Sequence, residues 1–215
     1  MSRPGGDKIG IRPIDVHLEG FESLGAEFVE DDENYREIKL KDLKSNDFYL
    51  HEVSVTGTAN VIMASVLTHR GDQKVVIRNA ASEPYIVGLC KMLRKMGADI
   101  EGEGTNKITI RSVIELEGCE HKVSPDFVEA GSFIGLAIVT DSELILENIK
   151  LSDIGFSVIH TFEEVFGIKL EETEKGVKVP KANGYEIQRQ RDNGIRAIYD
   201  SPWPGLTPDL ISIFV

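Results

Sequence analysis

The sequence has no long hydrophobic run. Its longest apolar stretch, Phe133–Val139, covers seven residues, against the ~20 that an α-helix needs to cross a bilayer. No apolar segment of signal-peptide type follows the first charges, so no secretory leader is expected. Cysteine is scarce. Cys90 sits in an apolar helical pattern and Cys119 in a Gly-Cys-Glu turn, with no CxxC spacing. Two such thiols predict free cysteines in a reducing, cytoplasmic setting, and exclude a disulfide scaffold or a zinc site. The five histidines do not cluster with acids at metal-ligand spacing, so no metal and no other cofactor are expected. Positive charge is also short, with 24 Lys and Arg against 36 Asp and Glu, a net charge of −12. That balance argues against nucleic acid and against a membrane surface as partners. An anionic ligand has to be held by a local cluster against that background.

What is present is a chain of 215 residues, 41% of them apolar, enough for one or two domains with their own cores. The chain also repeats itself. Val16–Phe28, Val87–Ile100 and Val158–Leu170 each read as a short amphipathic helix, a Gly, and an apolar residue that opens a strand. Gly is favoured just past a helix C-terminus because it accepts positive φ. Gly25, Gly97 and Gly167 are spaced by 72 and 70 residues. A second helix recurs in the same frame, near Ala59–Thr68 and Ser132–Thr140. Strands follow it at Lys74–Asn79 and Glu143–Asn148, and hairpins at Asp99–Ile110 and Lys169–Val179. The expected fold class is α/β, built from β-α-β-α-β-β units of about 70 residues. Two nearly whole units cover about 49–121 and 122–193. An apolar helix pattern, Pro208–Val215, runs up to the last residue, which leads us to expect a piece of a larger protein.

The chain opens on Met1-Ser-Arg-Pro-Gly-Gly-Asp-Lys-Ile-Gly-Ile-Arg-Pro-Ile-Asp-Val-His17. Read from residue types alone, Asp7 is either a solvated turn residue or a group with chemistry on a glycine-rich loop. Arg12–Val16 reads as a helix start, with Pro13 in the first turn and Asp15 near the positive helix end. Val53-Ser-Val-Thr-Gly-Thr58 reads as a hydroxyl-rich cap before a helix starting near Ala59. The same geometry offers backbone N–H groups to an anion. Thr207-Pro-Asp209 before an apolar run is likewise first of all a helix N-terminus signature.

Taken together, six strings resemble the enolpyruvyl transferases. They are Pro4–His17, Ser54–Asn60, Asn79–Pro84, Leu93–Ala98, Pro125–Gly131 and Trp203–Asp209, in family order along the whole chain. Within that family they are similar to the branch whose acceptor is UDP-N-acetylglucosamine. The sibling 3-phosphoshikimate branch shares the fold but not the Pro-Gly-Gly-x-x-x-Gly-x-Arg-Pro loop. The resemblance implies an inside-out α/β barrel of six such units in two globular domains. This chain would hold part of the first, residues 1–122, and part of the second, residues 123–215, with the boundary near Lys122–Asp126. It would cover about the middle half of the family's length, without the Lys-Asn pair and the arginines that grip phosphoenolpyruvate.

The resemblance also implies roles. The reaction joins phosphoenolpyruvate to the 3′-hydroxyl of UDP-N-acetylglucosamine, the first committed step of peptidoglycan synthesis. Asp7 would be the general acid, in a lid loop whose family members usually carry a Cys that the epoxide antibiotic fosfomycin alkylates. Asp209 would be the general base and also face the sugar. Arg12, Pro13, Ile14, Asp15 and Val16, with Val53, Ser54 and Val55, would hold the nucleotide. His17, by residue type, is expected to pack under its helix, and the resemblance offers contact with the diphosphate as the alternative. Glu52 and Phe127 depart from the family, which often has Lys and Arg there. Asn79 and Glu83 are expected to shape a turn. Three rival readings remain at this point, a UDP-sugar-binding fragment without catalysis, the activity of the sibling 3-phosphoshikimate branch, and a purely structural repeat protein.

Overall fold

A computed structural model of the chain describes residues 13–31, 36–68 and 71–184. The chain divides into two compact units, Met1–Lys122 and Val123–Val215. In the first, α1 (Asp15–Ser23) leads into an antiparallel hairpin of β1 (Glu27–Asp31) and β2 (Arg36–Lys39). There follow β3 (Asn46–Tyr49), α2 (Val55–Val66), β4 (Lys74–Arg78), α3 (Pro84–Lys95), β5 (Asp99–Glu101) and β6 (Lys107–Arg111). The four strands β3 to β6 form one sheet in the order β3-β4-β6-β5. β3 runs parallel to β4, as a strand-helix-strand crossover through α2 requires, and the other pairs are antiparallel.

β6 buries alternate residues, whereas β4 buries its whole apolar run, Val75, Val76 and Ile77. Val75 and Ile77 on β4, and Ile108 and Ile110 on β6, are fully enclosed and share one core with Val61 and Ile62 of α2 and Ile86 and Cys90 of α3. Burying each such aliphatic side chain contributes about 1.5–3 kcal/mol. The Cys90 thiol is pushed up to about 11, chiefly by burial and secondly by the Glu103 carboxylate, so it packs as a hydrophobe. α1 lies along α2 with Gly20 at the closest approach. A Cβ at Gly20 would run into Cγ2 of Val61. We expect Gly20→Val to destabilise the chain by about 1–3 kcal/mol, the usual cost of overpacking. Unchanged denaturation midpoints would mean that the two helices separate without loss.

The second unit holds α4 (Phe127–Val139), β7 (Leu144–Glu147), a short α5 (Leu151–Ile154), α6 (Phe156–Phe166), β8 (Glu171–Glu172) and β9 (Gly176–Val179). Its sheet has the order β7-β9-β8, all antiparallel. Phe127, Ile134 and Ile138 of α4 meet Val158, Phe162 and Phe166 of α6 and Val177 and Val179 of β9 in its core. α6 stops at Gly167, which takes the left-handed conformation at φ 68° and donates its N–H to the Glu163 carbonyl. Mixed helix and strand in both units make the chain an α/β protein.

Two helix starts differ from expectation. α2 begins at Val55 and not near Ala59, because Ser54 Oγ accepts the Gly57 N–H at 3.1 Å and fixes the cap there. α4 begins at Phe127 rather than Ser132, because the Asp126 carboxylate accepts the N–H groups of Val128 and Glu129. The helix expected over 208–215 lies outside the described residues. Among the described residues no helix is long and apolar enough to cross a membrane.

Candidate functional site

Asp7, Arg12 and Asp209, and the glycine-rich loop as a whole, lie outside the described residues. The remaining expected site residues fall at two helix N-termini. Pro13 is exposed and Ile14 half-buried at the N-cap of α1; Asp15 and Val16 are its first two helical residues. Val53 and Ser54 precede α2, and Val55 is its first helical residue. The structure brings these two ends together. Val16 is buried against Gly57, Gly20 approaches Val61, and His17 meets Thr56 and Asn60. Contacts therefore climb both helices in the same direction, and α1 and α2 pack in parallel with their starts side by side.

Parallel neighbours are electrostatically unusual, since both positive dipole ends point the same way. The leading N–H groups of a helix have no carbonyl of their own helix to bond. In α2, Ser54 satisfies Gly57 with its side chain and Thr58 with its carbonyl. Val55 and Thr56, one step earlier, are the amides that such a helix start turns outward. Two adjoining N-termini thus favour a negatively charged or carbonyl-rich ligand.

The same end carries a polar cluster that the sequence did not disclose. His51, in the turn after β3, places Nδ1 2.5 Å from Oε2 of Glu19 and Nε2 3.2 Å from Oδ2 of Asp15. It ties the first two turns of α1 to the segment that leads into α2. The hydrogen bond to Glu19 first, and then the charges of Glu19 and Asp15, raise the His51 pKa above its ordinary 6.5. A raised folded pKa means that this stabilisation is complete below pH 6.5 and is lost as pH rises through the folded value. We expect the melting temperature of wild type to fall across that window, and the fall to be smaller in His51→Gln. Parallel pH curves for the two proteins would remove His51 as the cause. His17 is engaged differently, with Nδ1 2.7 Å from Asn60 Nδ2 and Nε2 3.2 Å from Thr56 Oγ1, so both ring nitrogens face α2.

Asn79 ends β4 in the left-handed region at φ 59° and donates from Nδ2 to the Leu50 carbonyl, and Asn148 ends β7 at φ 60°. Both fit the turn-forming role. Glu83 is less expected. It is the N-cap residue of α3, it is 3% exposed, and its Oε2 has no hydrogen-bond partner among the described residues. Burial raises its pKa, so ionising it costs stability as pH rises. Thr58, also fully buried, accepts the Ala81 N–H and pins the turn before Glu83 to the first turns of α2. Glu52 is exposed, and Phe127 is buried in the core of the second unit. No group of three or more His, Cys, Asp or Glu able to hold a metal occurs among the described residues.

The family model described as EPSP synthase (3-phosphoshikimate 1-carboxyvinyltransferase) matches residues 2–200. The UDP-N-acetylglucosamine 1-carboxyvinyltransferase of Bacteroides fragilis is 46% identical over 216 residues, covering 100% of this chain and 49% of that protein. The protein of the same name from Treponema denticola is 43% identical over 210 residues, 98% of this chain and 48% of the relative. The chain therefore spans about half the length of the relatives it matches. Among solved structures, the enolpyruvyl transferase NikO from Streptomyces tendae superposes with a TM-score of 0.66 at 15% identity, over 79% of this chain and 42% of that one. EPSP synthase from Acinetobacter baumannii gives 0.59 at 20% identity, over 94% and 44%. At those identities the structures speak for the fold alone. Fold, family model and a sequence match along the whole of this chain converge on one conclusion: the chain belongs to the EPSP synthase family of enolpyruvyl transferases.

Proposed function

We propose that this chain is the middle half of a UDP-N-acetylglucosamine 1-carboxyvinyltransferase, a cytoplasmic enzyme of peptidoglycan synthesis. The observation that carries the reading is the parallel seating of α1 and α2, whose adjoining N-termini suit a nucleotide diphosphate or a uracil carbonyl. The identity to relatives of that name supports it, and so does the Pro4-Gly-Gly-x-x-x-Gly-x-Arg-Pro13 string, which the sibling 3-phosphoshikimate branch lacks. On this reading residues 1–122 and 123–215 are parts of the two enolpyruvyl transferase domains. Their element orders, strand-helix-strand-helix-hairpin in one and helix-strand-helix-hairpin in the other, support reading them as portions of the inside-out barrel.

The reaction has two halves. The 3′-hydroxyl of the acceptor adds to C2 of phosphoenolpyruvate while a proton goes to C3. Then C3 loses a proton and the C2–O bond to phosphate breaks, giving the enolpyruvyl ether and inorganic phosphate. Addition calls for a base at the hydroxyl and an acid at C3, which we assign to Asp209 and Asp7. Arg12 holds the diphosphate, since a guanidinium presents two parallel donors to a phosphate. Pro13, Ile14, Asp15 and Val16, with Val53, Ser54 and Val55, line the nucleotide.

A binding-only role is the reading for the chain by itself, because it spans half of its relatives. Calorimetric titration with UDP-N-acetylglucosamine, with and without phosphoenolpyruvate, tests it. Binding is expected, with Arg12→Ala weakening it by about 1.5–3 kcal/mol, the range for a charge-assisted hydrogen bond. Equal affinity in wild type and variant would take Arg12 out of the site. Tighter binding of shikimate 3-phosphate than of the UDP-sugar would move the chain to the sibling branch.

A further inference from the structure

The starts of α1 and α2 carry two acids that share one base. Asp15 is the first residue of α1 and Glu19 lies one turn on. His51 sets Nδ1 2.5 Å from Oε2 of Glu19 and Nε2 3.2 Å from Oδ2 of Asp15. Its backbone N–H donates to the same Glu19 oxygen at 3.2 Å. The neighbouring backbone is held from the sheet side. Leu50 donates its N–H to the Arg78 carbonyl, and its own carbonyl accepts from Asn79 Nδ2. The ring is thus fixed three residues before Ser54, the N-cap of α2, and about half of it is open to solvent.

Few charges surround the ring. α2 contains no Asp, Glu, Lys or Arg. Arg78, at the end of β4, forks onto the Asp47 carboxylate with bonds of 2.6 and 2.9 Å. His17 of α1 turns its own ring to Asn60 and Thr56. Glu52, next in the chain, is exposed. Among the described residues, the charges that act on the His51 ring are the carboxylates of Glu19 and Asp15.

We infer, on the nucleotide reading above, that the proton on His51 sets the affinity of these two helix starts for the diphosphate of a UDP-sugar. Charged, the ring offsets one of two carboxylates that stand beside the positive helix ends. Neutral, it leaves both carboxylates to repel the anion that those ends attract. His51 is a positioning residue: it acts through Asp15 and Glu19, not by contact with the ligand. Linkage fixes the direction. An anion bound at the helix starts favours the charged ring, so binding takes up a proton, and a proton on the ring favours binding by the same factor. Affinity is therefore highest below pH 6.5. It falls to a lower plateau as pH rises through the folded pKa, which Glu19 and Asp15 hold above that value. The ligand does not produce this fall, since a diphosphate esterified at both ends has no proton to lose in that range.

The test is calorimetric titration of the full chain with UDP-N-acetylglucosamine over a pH series that begins below 6.5. Pairs of buffers with unlike ionisation enthalpies count the protons taken up. Wild type is expected to lose about two- to fivefold in affinity across the series, the size of one screened charge at a helix end. It should take up a fraction of a proton on the falling limb. His51→Gln is expected to bind at the weaker, high-pH level throughout and to lose that uptake. His51→Lys, which stays charged, should keep the tighter level throughout. Glu19→Gln removes the stronger of the ring's two partners, so the falling limb should move to lower pH, a shift that a merely structural bridge would not give. If His51→Gln does not fold, His51→Lys and the Glu19→Gln shift decide alone. A flat wild-type series overturns the inference and leaves the nucleotide reading standing. So does a fall that persists in the His51 variants, or a limb that Glu19→Gln does not move. A wild type that binds no UDP-sugar at any pH overturns the nucleotide reading, and this inference with it.

Discussion

On the proposed function, Asp209→Asn is expected to slow turnover of the full-length enzyme by about 10²- to 10⁴-fold and to leave affinity for UDP-N-acetylglucosamine close to that of wild type. The argument rests on what the amide keeps and what it loses. Asn retains the size of Asp and one carbonyl oxygen, so it still accepts a hydrogen bond from a sugar hydroxyl. It has no basic site at neutral pH, so it cannot take the hydroxyl proton as the C–O bond forms. An interaction made only as the transition state is approached lowers kcat and kcat/KM together, whereas a lost ground-state contact raises KM. Steady-state kinetics with both substrates varied, together with calorimetry on the variant, separate the two. A variant with normal kcat and raised KM would make Asp209 a binding residue only, and one with both constants normal would place the base elsewhere.

The sequence disclosed local order well and nonlocal pairing poorly. The helix ends at Gly97 and Gly167 and the strands β4, β6 and β9 were legible because a glycine with positive φ, the short apolar run of β4 and the alternation of β6 and β9 are set by neighbouring residues. The start of α2 was misplaced because Val55, Thr56 and Thr58 are β-branched and Gly57 is flexible, all weak helix formers. Packing overrides that preference, with Val16 seated on Gly57 and Thr58 buried beneath Ala81. The His51 bridge to Asp15 and Glu19 had no signal at all, since its partners lie 36 and 32 residues away on a different element. The order β7-β9-β8 was hidden for the same reason, as strand neighbours are chosen in three dimensions. As for the candidate site, the start of α1 was readable from Pro13 and Asp15, and Val53–Thr58 was readable as a cap although its helix was placed four residues too late. The acid, base and phosphate roles of Asp7, Asp209 and Arg12 came only from resemblance to a family.

Asp7 gives the second large effect. The full-length enzyme is expected to resist fosfomycin, and Asp7→Cys to restore time-dependent inactivation with one covalent adduct at residue 7. The epoxide is opened by a nucleophile, and a thiolate is a far stronger one than a carboxylate, although the carboxylate is more fully ionised at neutral pH. Proton donation to C3 makes the opposite demand, for a transferable proton and not for a soft nucleophile. A carboxyl can meet it once exclusion of water raises its pKa toward the working pH. The two roles therefore separate at this position, so that a Cys serves both and an Asp serves only the acid. Titration carries the same distinction. Asp starts from about 3.9 and Cys from about 8.5, and a general acid works only while protonated. The rate of the natural enzyme should thus fall at lower pH than that of Asp7→Cys, and the variant's profile should extend to the alkaline side. Intact-protein mass spectrometry after incubation with the drug reads the first effect and a pH–rate profile reads the second. Alkylation of wild type at Asp7 as fast as of the Cys variant would refute the nucleophile argument. Superimposed pH profiles would show that residue 7 does not supply the proton.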